Sequence, residues 1–103
     1  MTKLCDLAKV LRSKNSGPYA VTLDVLFDNE SAYLRVKESG VLNLKKVAEL
    51  YRMPVNRIMH FVWFDAGLGV KVTYLREVAS GTVGDRDVYG AQQHAPLMDL
   101  LIP

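Results

Sequence analysis

Two stretches of the chain hold the residues best suited to chemistry. The first is RSKNSGP, residues 12–18. Arg12 and Lys14 bring positive charge, and Ser13, Asn15 and Ser16 bring short polar side chains. Gly17 lets backbone amides approach a ligand closely. That mixture suits a carboxylate or a phosphate. A solvated turn whose Asn and Ser bond their own backbone has the same composition, and composition taken by itself favours the turn. The second stretch is GDRDVYGAQQHAPLMDLLIP, residues 84–103. His94 is a candidate general base, with Asp85 or Asp87 to orient its ring. Tyr89, Gln92 and Gln93 would complete a pocket or an interface around it. The plainer reading makes His94 a simple hydrogen-bonding residue and the glutamines satisfiers of backbone groups along a docked strap.

Other chemistries lack support. Asp85, Asp87 and His94 do not have metal-motif spacing, and the chain holds two histidines and one cysteine, so no metal is expected. No Ser or Cys stands in a nucleophile motif, and there is no phosphate loop or dinucleotide fingerprint, so no cofactor is expected either. His60 lies in an apolar run and reads as a core or face histidine. Phe61 and Trp63 read as core. Cys5 excludes an internal disulfide and reads as a buried, inert thiol.

Elements must position these residues, and the bulk numbers bound them. A chain of 103 residues, 50% hydrophobic and 23% charged, predicts one domain over residues 1–103. An α+β core is expected over residues 1–77 and a C-terminal strap over residues 78–103. The formal charge of +2 excludes a nucleic-acid binder of the basic kind; Lys9, Arg12 and Lys14 are the nearest thing to a basic cluster and have no aromatic among them. The opening MTKLCDLAKV carries no apolar core of a signal peptide, so no membrane segment and a cytoplasmic location are expected.

Residues 19–27, YAVTLDVLF, alternate as a half-buried strand. Asp28 and Asn29 offer caps to a helix that Gly40 closes, with Ala32, Tyr33 and Val36 at helical spacing. Asn43 caps a second helix with Leu44, Val47, Leu50 and Tyr51 on one face, and Pro54 limits it. IMHFVWF, residues 58–64, is apolar on both faces and predicts an inner strand. A turn at Asp65, Ala66 and Gly67 leads into a second alternating strand, so the two form a hairpin. Leu4, Leu7, Ala8 and Leu11 have helical spacing, yet a strand over 3–11 would pair with the next one; sheet completion decides for the strand. The expected architecture is a mainly antiparallel sheet of strands 3–11, 19–27, 58–65 and 68–76. Helices at 29–39 and 43–52 cover one face. The other face is left for a second copy or a larger partner, with Phe61 and Trp63, or Val62 and Phe64, between chains.

LAKVLRSKNSGP near the start, HFVWFDAGLGVKVT in the middle and SGTVGDRDVYGAQQHAPL near the end together resemble domain-of-unknown-function family 4387. The resemblance runs over nearly the whole chain. Members are similar in layout to the small C-terminal ferredoxin-fold domain of acyclic terpene utilisation protein A (AtuA). There a polar Arg-Ser-Gly-Asp-Lys-Gly loop follows the first strand, where this chain has RSKNSG with one glycine. The resemblance implies a ferredoxin-like α+β fold. It also implies a small accessory subunit, working beside a larger AtuA-like protein in carboxylic acid or acyl-coenzyme A catabolism.

Three functions follow as expectations. The leading one is an oligomeric accessory or interaction subunit with an anion-binding loop at Arg12, Ser13, Lys14 and Asn15. The rival is a self-sufficient small lyase or hydratase in which His94 moves a proton and Arg12 with Lys14 holds a carboxylate. The third is a plain structural homo-oligomer. The closing LMDLLIP reads as an apolar anchor in which Leu97, Leu100 and Ile102 hold the strap.

Overall fold

A computed structural model of the chain describes residues 1–17, 19–76 and 95–103. The elements run β1 (Thr2–Lys3), α1 (Leu4–Leu7), β2 (Val10–Asn15), β3 (Ala20–Leu26), α2 (Glu30–Ser39), α3 (Leu44–Leu50), a 3-10 turn (Val55–Arg57), β4 (Ile58–Phe64), β5 (Gly69–Leu75), α4 (Ala95–Met98) and β6 (Leu101–Ile102). The α+β class and the antiparallel four-stranded sheet are as the residue pattern predicts.

Local chemistry explains the helices. Asn29 accepts a hydrogen bond from the Ala32 amide at 2.7 Å, and Asn43 accepts one from the Lys46 amide at 2.8 Å, so each helix starts on a capping side chain. Gly40 ends α2 at φ 70°, the left-handed position that glycine adopts without a Cβ clash. Both helices bury a short apolar stripe: Tyr33 and Val36 from α2, Val47 and Ala48 from α3.

The first segment departs from the strand expected over residues 3–11. Leu4–Leu7 forms a single helical turn, closed by the Ala8 amide on the Leu4 carbonyl at 2.9 Å. The strand is Val10–Asn15 instead. Both periodicities were present, each over part of the segment. Pairing decided the boundary, because Val10 lies opposite Leu26 and Asn15 opposite Val21, which satisfies nearly the full length of β3. A strand ending at residue 11 would leave much of that edge without partners. Arg12–Asn15 is therefore strand, not loop, and the turn is confined to the residues after Asn15.

The sheet order is β2-β3-β5-β4, all antiparallel. IMHFVWF, expected as an inner strand, lies at an edge. Its apolar character on both faces fits burial, but chain order sets the neighbours: β5 returns from β4 and slots between it and β3. Alternation gives the sheet two unlike faces. Val21, Leu23 and Val25 from β3 and Val70, Val72 and Tyr74 from β5 join Leu4, Tyr33, Val36 and Val47 in the core. The chain end joins them as well, with Leu97, Leu100 and Ile102 all buried.

The two ends are tied together. β1 pairs with β6, Thr2 facing Ile102 and Lys3 facing Leu101. The Leu4 amide donates to the Leu100 carbonyl at 2.7 Å. Arg35 on α2 donates through Nε to the Pro103 carbonyl at 2.9 Å and through Nη2 to Thr2 Oγ1 at 3.0 Å. The apolar anchor expected of LMDLLIP is present.

Candidate functional site

The second face of the sheet has no helix over it among the described residues, and it carries Arg12, Lys14 and Lys71. Register places side chains there in rows. Arg12 lies opposite Asp24, which lies opposite Lys71, which lies opposite Val62. The next row is Lys14, Thr22, Thr73 and His60. On the other side lie Val10, Leu26, Gly69 and Phe64. Residues directly opposite in an antiparallel ladder point to the same face, so these twelve share one surface.

At its centre Asp24 is only 5% exposed. Arg12 Nε donates to Asp24 Oδ2 at 3.2 Å and neutralises it. Beside this pair the Thr22 and Thr73 hydroxyls are hydrogen-bonded at 3.1 Å. Lys71 extends over the Phe64 ring, with Nζ 5.9 Å from its centroid. Arg12, Lys14, Asp24, Phe64, Gly69 and Lys71 border a recess of about 250 Å³. Gly69 keeps its floor open. A Cβ there would stand 2.5 Å from Leu26 Cδ2 and 3.0 Å from the Val25 carbonyl oxygen. Three cations against one paired carboxylate leave the recess positive. Arg12 uses Nε on Asp24, so its Nη groups have no partner among the described residues. Such an arrangement can hold a carboxylate or phosphate, and Phe64 and Val62 can pack the apolar part of the same ligand.

A second polar cluster sits at the β4–β5 turn. Tyr33, 1% exposed, donates its hydroxyl to Asp65 Oδ1, and Lys37 Nζ reaches the same oxygen at 2.7 Å. Burial, with the hydrogen bond to Asp65, raises the Tyr33 pKa to about 12. The Lys37 ammonium, helped by the Tyr33 hydroxyl, holds the Asp65 carboxyl below the usual range. Tyr33 also meets Phe27 and Trp63 edge-to-face, at centroid distances of 6.0 and 5.8 Å. This cluster fastens α2 to the hairpin.

The sequence-derived site residues are distributed as follows. Arg12 and Lys14 come together on the open face. Ser13 and Asn15 alternate to the opposite face, where Ser13 is 7% exposed and Asn15 Oδ1 accepts from Arg76 Nη1 at 2.8 Å. The four therefore do not converge on one ligand, because strand alternation separates neighbours that a loop could have gathered. Asp85, Asp87, Tyr89, Gln92, Gln93 and His94 lie outside the described residues. His60 is exposed on the open face, the face reading of the two, and Cys5 is half-exposed, not buried. Of the two residue pairs considered for the open face, Val62 and Phe64 occupy it, at 41% and 47% exposure, while Phe61 and Trp63 pack against the core.

Asp24 and Lys71 were not singled out from sequence, and Phe64 was singled out only as a residue that could lie between chains. Asp24 carried one signal, a charge on the polar side of an alternating strand. Only register brings it beside Arg12. Among the described residues no group of three or more His, Cys, Asp or Glu is placed to hold a metal ion, and no helix is long and apolar enough to cross a membrane.

No curated protein and no solved structure matches the chain. The family profile described as domain of unknown function (DUF4387) matches residues 4–101, nearly the whole length, and the chain belongs to that family.

Proposed function

We propose that the chain is a small accessory subunit whose open sheet face binds the anionic group of a carboxylic acid or acyl-coenzyme A compound. It works beside a larger AtuA-like protein or a further copy of itself. The observation that carries this reading is the convergence of Arg12, Lys14 and Lys71 on one recess next to Phe64. Arg12 supplies planar donors and the lysines supply point charge, a division suited to carboxylate and phosphate oxygens. Val62 and Phe64, exposed beside the cations, would take an acyl chain. The AtuA-like partner and the catabolic setting come from the family resemblance, and fold likeness does not fix chemistry.

The test is calorimetric titration of the purified protein with unsaturated carboxylates and their coenzyme A thioesters. Binding is expected, and Arg12→Ala or Lys71→Ala should weaken it roughly tenfold, about 1.4 kcal/mol each. Hydration assays then separate the roles. Turnover is expected only when a larger AtuA-like protein is present. Turnover by the small chain alone, lost in His94→Ala, would replace this reading with the self-sufficient lyase or hydratase. Absence of any anion binding would leave the plain homo-oligomer.

A further inference from the structure

Strand β4 reads IMHFVWF: seven residues without a lysine, arginine, acid or proline. It forms one edge of the sheet, and no strand pairs with its outer side among the described residues. An edge strand presents a row of unpaired amides and carbonyls, and proteins usually guard such a row with charge, proline or a covering element. The opposite edge follows that practice, since β2 carries Arg12 and Lys14. β4 carries no Lys, Arg, Asp, Glu or Pro, and among the described residues Met59, Val62 and Phe64 stand 51%, 41% and 47% exposed along it. An uncharged, aromatic and β-branched edge beside a guarded one is what remains when one edge must join and the other must not.

We propose that β4 pairs antiparallel with β4 of a second copy, about a two-fold axis at Val62, joining two four-stranded sheets into one of eight strands. The ladder is irregular between Ile58 and His60, so the regular stretch runs from His60 to Phe64 and Val62 is its midpoint. About that axis Val62 faces the partner's Val62, Phe61 faces the partner's Trp63, and His60 faces the partner's Phe64. Aromatic and β-branched residues placed opposite each other are favourable cross-strand pairs.

Charge selects this occupant and this geometry. Stacking two open faces about 10 Å apart would set Arg12, Lys14 and Lys71 against their own copies. Pairing β2 with β2 would put Arg12 and Lys14 about 5 Å from the same cations of the other copy across the ladder. Pairing β4 with β2 leaves an edge on each side and grows without closing. In the β4–β4 pair the nearest like charges among the described residues are the two Lys71 side chains. Lys71 lies opposite Val62, so the two lysines stand three strand spacings apart, about 14 Å, beyond the screening length of about 8 Å. The two-fold also closes: both remaining edges are the charged β2 strands. The two cationic recesses end on one continuous face. This inference deepens the partner half of the proposed function. Anion binding at Arg12 does not depend on it, so the two fail separately.

The experiment is sedimentation of the full chain across roughly 1–500 μM, since a contact of one edge strand is small and micromolar affinity is the expected order. The wild type should pass from monomer to dimer. Val62→Lys places two ammonium groups at the axis and should weaken the dimer at least tenfold, with an unchanged circular dichroism spectrum. In a Cys5→Ser background, Val62→Cys should cross-link to dimer under mild oxidation far faster than Leu75→Cys, which is as exposed but off the axis. A chain that stays monomeric throughout overturns the proposal. So does a dimer that Val62→Lys leaves intact, or cross-linking no faster at position 62 than at position 75. The cross-link decides the matter if Val62→Lys does not fold.

Discussion

At the scale of single residues, two carboxylates show how this chain uses charge. Asp24 is tolerated at 5% exposure because the Arg12 guanidinium lies 3.2 Å away, and that pairing holds Arg12 over the recess. Asp65 is exposed and gathers the Tyr33 hydroxyl and the Lys37 ammonium on one oxygen. The Tyr33 pKa is raised to about 12 from its ordinary 10.0, so as pH climbs the unfolded chain gives up its proton first. The stabilisation is complete below pH 10 and is lost between about pH 10 and 12. Denaturant titrations should show stability falling across that window, with a smaller fall in Tyr33→Phe. Tyr51, also raised by burial, accounts for part of what remains. Asp65 has the opposite sign. Its depressed pKa gives stability that is present above the ordinary carboxylate range and lost as pH drops through the lowered value.

At the scale of elements, the β4–β5 hairpin determines the shape of the recess. Its turn places Leu68 at φ 50°, and the Leu68 carbonyl accepts from the Phe27 amide at 2.8 Å, which seats the hairpin against the end of β3. Gly69 follows directly, in a position where a Cβ would push the Leu26 side-chain tip, 2.5 Å away, and crowd the Val25 carbonyl oxygen at 3.0 Å. Gly69→Val should therefore cost about 1–3 kcal/mol by overpacking, read as a lower denaturant midpoint. The same substitution should also weaken anion binding by filling the floor of the recess. A Gly69→Val protein that binds anions as tightly as wild type would remove the recess from the site.

For the whole molecule, stability depends on a closure between its first and last residues. Leu4, Leu97 and Ile102 are fully buried, and Arg35 joins α2 to both Thr2 and Pro103. Ile102→Ala removes a buried branched side chain and leaves a cavity, at a cost of about 3 kcal/mol. In a domain of this size that corresponds to a Tm lower by roughly 15 °C, measurable by thermal melting. A loss under about 1 kcal/mol would show that the chain end merely rests on the core.

Much of this was legible in the residues. The alternation in residues 19–27, the caps at Asn29 and Asn43, the glycine at position 40 and the apolar close at Leu97, Leu100 and Ile102 are local signals, each contained within a few residues. The α+β class follows from them. Three matters were decided only by tertiary structure. Pairing against β3 moved the first strand to Val10–Asn15 and turned an expected loop into a ladder. Strand order sent β4, apolar on both faces, to the edge instead of the interior. Register then separated Arg12 and Lys14 from Ser13 and Asn15 and set them beside Asp24 and Lys71, which lie 47 residues apart in the chain. The physical reason is one of range. Periodicity and capping act over one or two turns of chain, whereas register is the joint optimum of hydrogen bonds and packing among strands distant in sequence, and that optimum places the charges.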